Sequence, residues 1–523
     1  MTEPEIEPTQ PTEDLTGTVV RGAGLAGAGY ALSQALTLGA YFVLARLASP
    51  ADFGEFTAGS LLVTVGLLFT EGGMMAAVIH REDRVDEAAS TAVIACAASG
   101  FALALGALAV SPLMGLFFHS DTVTKIAAAS SGLLFLRSLQ VVPEALLQRR
   151  FSFLRRAIVE PAGVIAFGTA AIIACSNDLG PWGLLIGFYA AAVVDVILSW
   201  AFVRWRPKLR SASYELWREM IGYGRFVLAS VAIMRLGEQV PVLLIGRSLG
   251  SGPLGQFRYS WRMALTPVSL VVQAGAYVLF PALARIREDR ERFLRASTQA
   301  LRQMCAIGFP LGMLLVPLGI PAAEILFGDI WRPAGEAAIG FSLFCLGATL
   351  ISWVSEVVKA DGRPQIQART HVVSVVSGTI LMFAALPFDS LVLIVGGFSL
   401  GSPIGGCWGV GRVSRELEIP LGELLRQMVP PAFAAVVMAA ALFPIEALLI
   451  DASEHEIVVS FLLLAAEAAL GLAIYAAGLF VVAREIFREL VSVFMGLVPG
   501  RGGGEPPAEA GSGAVAATVD DPL

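Results

Sequence analysis

Apolar runs of about twenty residues recur along almost the whole of this 523-residue chain, and no other feature constrains its fold as much. A bilayer core of about 30 Å takes roughly 20 apolar residues per helical crossing. Runs of that kind lie at 22–47, 56–79, 88–112, 122–145, 157–176, 182–203 and 220–246, then at 256–280, 298–319, 334–358, 368–387, 390–411, 427–449 and 456–482. They predict an all-α polytopic membrane protein of about fourteen transmembrane helices. The first run follows Glu3, Glu5, Glu7, Glu13 and Asp14 rather than a basic segment, so it reads as a retained helix and not as a cleaved signal. Charge is correspondingly scarce, at 15 % of residues against about 25 % in soluble chains.

Composition also excludes function classes. A net charge of −7 disfavours a nucleic-acid partner. The five cysteines all sit in apolar runs, and none of the four histidines stands near another His or Cys, so neither a disulfide framework nor a metal site is spaced into the chain. No cofactor is expected.

Orientation follows from the basic residues. With the N-terminus inside, 25 of the 36 Lys and Arg fall in inner loops and tails, nine fall within spans, and only Arg247 and Arg332 fall in outer loops. That bias predicts a multi-pass protein of the cytoplasmic membrane with both termini cytoplasmic.

An internal repeat divides the chain. Arg46, Gly54 and Phe56 recur as Arg247, Gly255 and Phe257 at a constant offset of 201. Arg81–Arg84 recurs as Arg287–Arg290 at 206, and Glu144 matches Glu356 at 212. Six helices separate the copies, so both have the same orientation, as in a parallel repeat about the membrane normal. The expected organisation is a disordered tail over 1–16, an N-lobe of helices 1–6 over 17–219 and a C-lobe of helices 7–12 over 220–426. A helix pair over 427–496 and a disordered tail over 497–523 complete it.

Charges inside spans are costly and often mark a pathway. The basic set is Arg46, Arg137, Arg225, Arg235, Arg258 and Arg262. Arg258 and Arg262 are four apart and share a helix face, while Arg235 and Arg137 sit deep in their spans. Guanidinium forks bind phosphate oxygens bidentately, so these residues are candidates for holding a phosphate-bearing substrate; internal ion pairs, such as Arg235 with Glu238, are the structural alternative. The acidic set is Glu71, Asp195, Glu238, Glu356 and Glu467, of which the first four are candidates to carry a coupling H⁺ or Na⁺, with Glu71 first because Gly72 and Gly73 loosen the backbone beside it. The seven glycines between Gly396 and Gly411 suit close helix packing. A membrane polymerase or glycosyltransferase would need a large outer loop with catalytic groups, and the longest here, 320–333, offers only Glu324 and Asp329.

Four stretches carry a family resemblance. They are Arg46–Gly54 (RLASPADFG), Leu147–Phe153 (LQRRFSF), Pro281–Arg285 (PALAR) and Leu326–Trp331 (LFGDIW). In this order they resemble the Wzx-type oligosaccharide flippases, or polysaccharide biosynthesis proteins, of the MOP superfamily. Relatives often carry Asp-Leu-Gly where this chain has Glu71-Gly72-Gly73, and the last helix pair matches no motif of the family. The resemblance implies a two-lobed alternating-access transporter with a central cationic cavity. It also implies a substrate, an oligosaccharide repeat unit on polyprenyl pyrophosphate destined for exopolysaccharide, O-antigen or capsule. Partners would be membrane lipids and the polymerase and glycosyltransferases of the same pathway. The alternative within transporters is a MATE-like ion-coupled multidrug antiporter, whose cavity would be acidic or apolar; the excess of Arg argues against it.

Overall fold

The computed structural model describes residues 15–447 and 457–496, apart from 72–73, 82, 150–152 and 204. Among these residues there are helices and connecting turns and no strand. The first part holds α1 (Leu15–Leu47), α2 (Pro50–Gly59), α3 (Leu61–Glu71), α4 (Met74–His80), α5 (Val85–Phe118), α6 (Asp121–Ser130), α7 (Gly132–Ser138), α8 (Val141–Arg149), α9 (Phe153–Cys175) and α10 (Pro181–Val203). Then follow α11 (Tyr214–Gly237), α12 (Val240–Ser248), α13 (Ser251–Arg285), α14 (Arg290–Met313), α15 (Leu315–Phe327) and α16 (Arg332–Ala360). The last are α17 (Pro364–Ala385), α18 (Leu391–Glu416), α19 (Leu421–Ile445), α20 (Ile457–Val482) and α21 (Arg484–Gly496). The two terminal tails expected to be disordered lie almost wholly outside the described residues.

Ten spans in this set are long and apolar enough to cross a bilayer, and eleven if α14 and α15, bent by 52° at their junction, count as one. The bend has a covalent cause: Pro317 has no N–H to give Met313, so the helix ends there and restarts. The other three expected crossings fall on α1, on the broken pair α11–α12 and on α13. Parts of these helices lie outside the described residues, so ten or eleven is the count among the described residues.

Local sequence explains how α2 begins. Ser49 Oγ accepts from the backbone N–H of Asp52 at 3.2 Å, and the Asp52 carboxylate accepts from the N–H of Ser49 at 2.8 Å. This capping box, with Pro50 in the first turn, satisfies two of the N–H groups a helix start leaves open. The stretch RLASPADFG is thus largely a helix start. The LQRR stretch has a similar role, since Arg149 Nη1 donates to the carbonyls of Val78 and Ile79 at 3.3 and 3.0 Å and so closes the end of α4.

The two halves meet where α2 crosses the start of α13. A Cβ on Gly54 would collide with the backbone oxygen of Ser251, and a Cβ on Gly255 with the backbone oxygen of Pro50. Pro50 and Ser251, like the two glycines, are 201 residues apart. Each repeat copy therefore touches its counterpart through the same pair of positions, which is the reciprocal contact a two-fold relation produces. In the second half the glycines of α18 serve the packing expected of them: Gly401 lies against the backbone of Ser374 and Gly378 in α17. Helix α5, by contrast, presents Phe101, Leu105, Leu113 and Leu116 outward, 52–73 % exposed, as a lipid-facing helix does. Helices α19 and α20 pack against α14 and α15, and α21 turns back onto α14 with Ile486 buried and Glu489 at 3.3 Å from Arg302.

Candidate functional site

A continuous cavity opens among α1, α2, α3, α7, α8, α9, α10 and the first half of α13. It has two compartments of about 430 and 450 Å³ that share Tyr41, Arg137, Gln140, Glu144, Phe188 and Arg262. One end is closed by aromatic rings. Tyr259 sits 4.9 Å from Phe53, 3.9 Å from Trp331 and 4.7 Å from Phe327, centroid to centroid. Hydrogen bonds lock this plug: the Trp331 indole donates to Ala45 O at 2.9 Å, the Tyr259 hydroxyl to Tyr41 O at 3.2 Å, and the Gln256 amide to Ile330 O at 2.7 Å. The α2–α13 glycine crossing lies beside it.

Just below the plug are Arg258 and Arg262, one turn apart on α13. Arg258 is exposed within the cavity. The Arg262 guanidinium lies 3.1 Å from the centroid of the Tyr41 ring, a cation–π contact, and its Nη1 is buried without a hydrogen-bond acceptor. Further along, Arg137 donates to Asp195 at 2.7 Å and to Gln140 at 2.9 Å. Asp195 is 8 % exposed and can lie so close to α9 only because residue 163 is glycine; a Cβ there would strike its carboxylate. Glu144 and Glu160 line the cavity at the same level.

Formal charge is therefore balanced: Arg137, Glu144 and Arg262 line both compartments, Arg258 the one next to the plug, and Asp195 and Glu160 the other. The family resemblance implies a central cationic cavity; the charged groups lining this one are three arginines and three carboxylates.

The other sequence candidates fall elsewhere. Arg46 donates to Ile325 O at 3.0 Å and stacks on Phe42 at 5.1 Å, tying α1 to α15 outside the cavity. Arg235 does not join Arg262 in one site. It is exposed and paired with Glu238 at 3.2 Å, because the two stand one turn apart at the end of α11. Glu238 and Glu356 line a separate cavity of about 370 Å³ with Trp261, Gln367 and His371, and Glu356 accepts from Lys359 at 2.7 Å. Gly72 and Gly73, and the side chains of Glu71 and Arg225, lie outside the described residues.

Sequence reasoning did not assign a site role to Tyr41, Gln140, Glu144 or Glu160. A signal for two of them was present, since Arg137, Gln140 and Glu144 are spaced i, i+3, i+7 and make one polar stripe.

The ion pair yields a test. Asp195→Leu leaves the partly buried Arg137 without its carboxylate partner and should destabilise the protein by about 1–3 kcal/mol, whereas Arg137→Met together with Asp195→Leu should recover most of that loss. Thermal unfolding of the purified single and double variants measures it; additive losses would show that the two side chains are not coupled.

The comparisons with known proteins bear on this cavity. A family model described as "Polysaccharide biosynthesis protein" matches residues 43–336, a stretch that contains every residue named above for the arginine cavity except Tyr41. The chain is 25 % identical over 324 residues to the succinoglycan biosynthesis transport protein ExoT of Rhizobium meliloti (strain 1021), covering 61 % of this chain and 64 % of that one. It is 21 % identical over 373 residues to the teichuronic acid biosynthesis protein TuaB of Bacillus subtilis (strain 168), covering 69 % and 74 %. The match to ExoT thus spans just under two thirds of that relative's length. In structure, the chain resembles the lipid II flippase MurJ in its inward closed conformation, with a TM-score of 0.72 at 15 % identity over 89 % of this chain and 99 % of that one.

Proposed function

The chain belongs to the family of polysaccharide biosynthesis proteins, and from that premise we propose that it flips polyprenyl-pyrophosphate-linked oligosaccharide repeat units from the inner to the outer leaflet of the bacterial cytoplasmic membrane by alternating access. The observation that carries this reading is the pair Arg258 and Arg262 at the closed end of a cavity inside the bilayer. An anionic head group cannot cross hydrocarbon unaided, because burying its charge without a partner is very costly. Two guanidinium forks offer that partner. The names of ExoT, a succinoglycan biosynthesis transport protein, and TuaB, a teichuronic acid biosynthesis protein, support the substrate class.

In this reading residues 17–219 and 220–426 are the rocking lobes, hinged near the Gly54–Gly255 contact, and the plug end faces outward. Both termini are cytoplasmic. Glycosyltransferases and a polymerase act before and after it. The coupling ion, H⁺ or Na⁺, is held by carboxylates among Glu71, Asp195, Glu238 and Glu356. One elementary charge crossing about 100 mV supplies roughly 2.3 kcal/mol to the cycle. A membrane polymerase or glycosyltransferase is disfavoured by the one long outer loop: its Glu324 is held by Arg332 at 2.7 Å, and the segment is folded into the ends of α15 and α16. A multidrug antiporter for organic cations is disfavoured by the two arginines at the closed end.

The purified protein in vesicles should move a polyprenyl-pyrophosphate-linked oligosaccharide between leaflets, measured by enzymatic access to the sugar from outside. Transport of an organic cation with no movement of the lipid-linked sugar would replace this reading with the antiporter. The orientation has its own test: reporters fused within 177–181 or 320–333 should read periplasmic, and a cytoplasmic signal at either would reverse the map.

A further inference from the structure

The cavity of about 370 Å³ in the second half lies among the end of α11, α13, α16, α17 and α18. It is the repeat counterpart of the arginine cavity. Gln140 and Glu144, which line the first, fall 212 residues before Ser352 and Glu356, which line the second. At the same offset Arg137 becomes Thr349, so the matching position carries no cation. Helix α13 serves both cavities. Arg258 and Arg262 face the first, while Trp261, Leu265 and Val268, spaced i, i+4, i+7, line the second.

One wall of the second cavity is aromatic. The Trp261 ring stands 5.2 Å from Phe344 and 6.0 Å from Phe398, and the two phenyl rings stack at 5.9 Å. The other walls are polar and short of partners. Glu356 and Ser402 are 4 % and 1 % exposed, and Glu356 Oε2 and Ser402 Oγ have no hydrogen-bond partner. The Trp261 indole N–H, the Gln367 amide and the His371 ring are half-buried on the same walls and form no hydrogen bond among the described residues. Groups left unmatched in this number cost free energy until a ligand or water meets them. Net charge is not what the cavity offers: Glu238 is paired with Arg235 at 3.2 Å, and Glu356 Oε1 accepts from Lys359 at 2.7 Å.

An aromatic face beside neutral donors and acceptors is the chemistry that recognises a sugar. The C–H face of a pyranose packs on an indole, and its hydroxyls both donate and accept. The volume falls in the ordinary range of small-ligand sites, about 300–1,000 Å³. We infer that the second cavity is a saccharide subsite, which takes a neutral sugar unit of the substrate whose diphosphate Arg258 and Arg262 hold. This subsite rests on the flippase reading above and extends it from the charge of the head group to its sugar. Trp261 and Arg262 are neighbours on one helix, so a saccharide chain leaving the diphosphate rounds α13 to reach the second cavity. A site built to hydrogen-bond hydroxyls rejects a ligand that lacks them. The carrier lipid stripped of its sugar therefore competes poorly with the loaded one.

Binding to the purified full chain in lipid nanodiscs tests the subsite with two probes. One is the lipid-linked oligosaccharide extracted from cells that make the protein; the other is bare undecaprenyl diphosphate. The wild type should bind the glycosylated lipid about tenfold more tightly, the gain from one ring face and one hydrogen bond. Trp261→Leu with Gln367→Leu should erase most of that preference and leave affinity for the bare lipid as it was, whereas Arg262→Ala should weaken both. A merely structural defect would lower the two affinities together. Should Trp261→Leu fail to fold, Gln367→Leu decides alone, because its side chain has no partner to orphan and its loss should still cut the preference about threefold. Equal binding of the two lipids by the wild type, or a preference that the variants retain, overturns the subsite and leaves the flippase reading standing. Binding of neither lipid overturns both. Binding of tetraphenylphosphonium that is lost in Glu356→Gln gives the cavity to an organic cation and overturns the subsite.

Discussion

Replacing Arg262 with alanine should abolish polysaccharide export while leaving the protein in the membrane at its normal abundance. Both halves of that result follow from how this side chain is held. Arg262 stacks on the Tyr41 ring and makes no ion pair among the described residues, and its Nη1 lacks an acceptor. Its removal therefore orphans no acid, unlike removal of Arg137, and even deletes an unsatisfied donor whose burial costs about 1–3 kcal/mol. The same donor, beside exposed Arg258, is what a diphosphate would engage. A charge-assisted hydrogen bond contributes about 1.5–3 kcal/mol, so losing a two-pronged contact lowers occupancy by about a hundredfold or more. Arg262→Lys keeps the charge but not the fork and should rescue export only in part. Export, membrane abundance and accumulation of the lipid-linked intermediate are the three readouts. Normal export by Arg262→Ala cells would remove Arg262 from the mechanism.

The second large effect is expected at the crossing of α2 and α13. Gly54→Ala or Gly255→Ala inserts a methyl where the facing backbone carbonyl already stands, and backbone, unlike a flexible side chain, cannot step aside. The helices must separate, at a cost of about 1–3 kcal/mol or more. Because the plug residues Phe53 and Tyr259 belong to these two helices, separation opens the closed end. A cysteine placed at Ser251 in a cysteine-free background should then react much faster with a membrane-impermeant thiol reagent in the Gly54→Ala protein than without it. The two substitutions widen the same gap, so the double variant should cost clearly less than the sum of the singles. Unchanged reactivity together with additive costs would show that the crossing does not control access.

Helical class, the repeat spacing of 201 and the family were all legible in the chain, because each rests on periodicity or on motif order; that the two copies touch through those positions was not. The Arg258–Arg262 face was legible for the same reason: four residues on a helix make one face wherever the helix goes. What resisted reading was which faces converge. Arg235 and Arg262 look alike as arginines within apolar runs, yet one is paired with Glu238 just past its own helix and the other forms no ion pair among the described residues. Glu144 stands at the end of an apolar run, and its i, i+3, i+7 spacing with Arg137 and Gln140 was the signal that could have placed it in the site. Asp195 needed Gly163, 32 residues away in sequence on another helix, to make room for it. Long-range clearances of this kind leave no periodic trace.

The aromatic plug has an optical consequence. Trp331 is completely buried with its ring tilted against Tyr259 at 3.9 Å, and its indole N–H is bonded to Ala45 O. Parting of this end breaks that bond and transfers an indole from a dry, ring-lined pocket toward water, where its excited state relaxes to lower energy. Trp353, equally buried but bonded to Ser297 O within the second half, keeps its surroundings and serves as an internal reference. The molecule thus carries a native fluorophore at the one place where its opening would be seen, and emission from Trp331 in single-tryptophan variants follows the cycle in real time without any attached label.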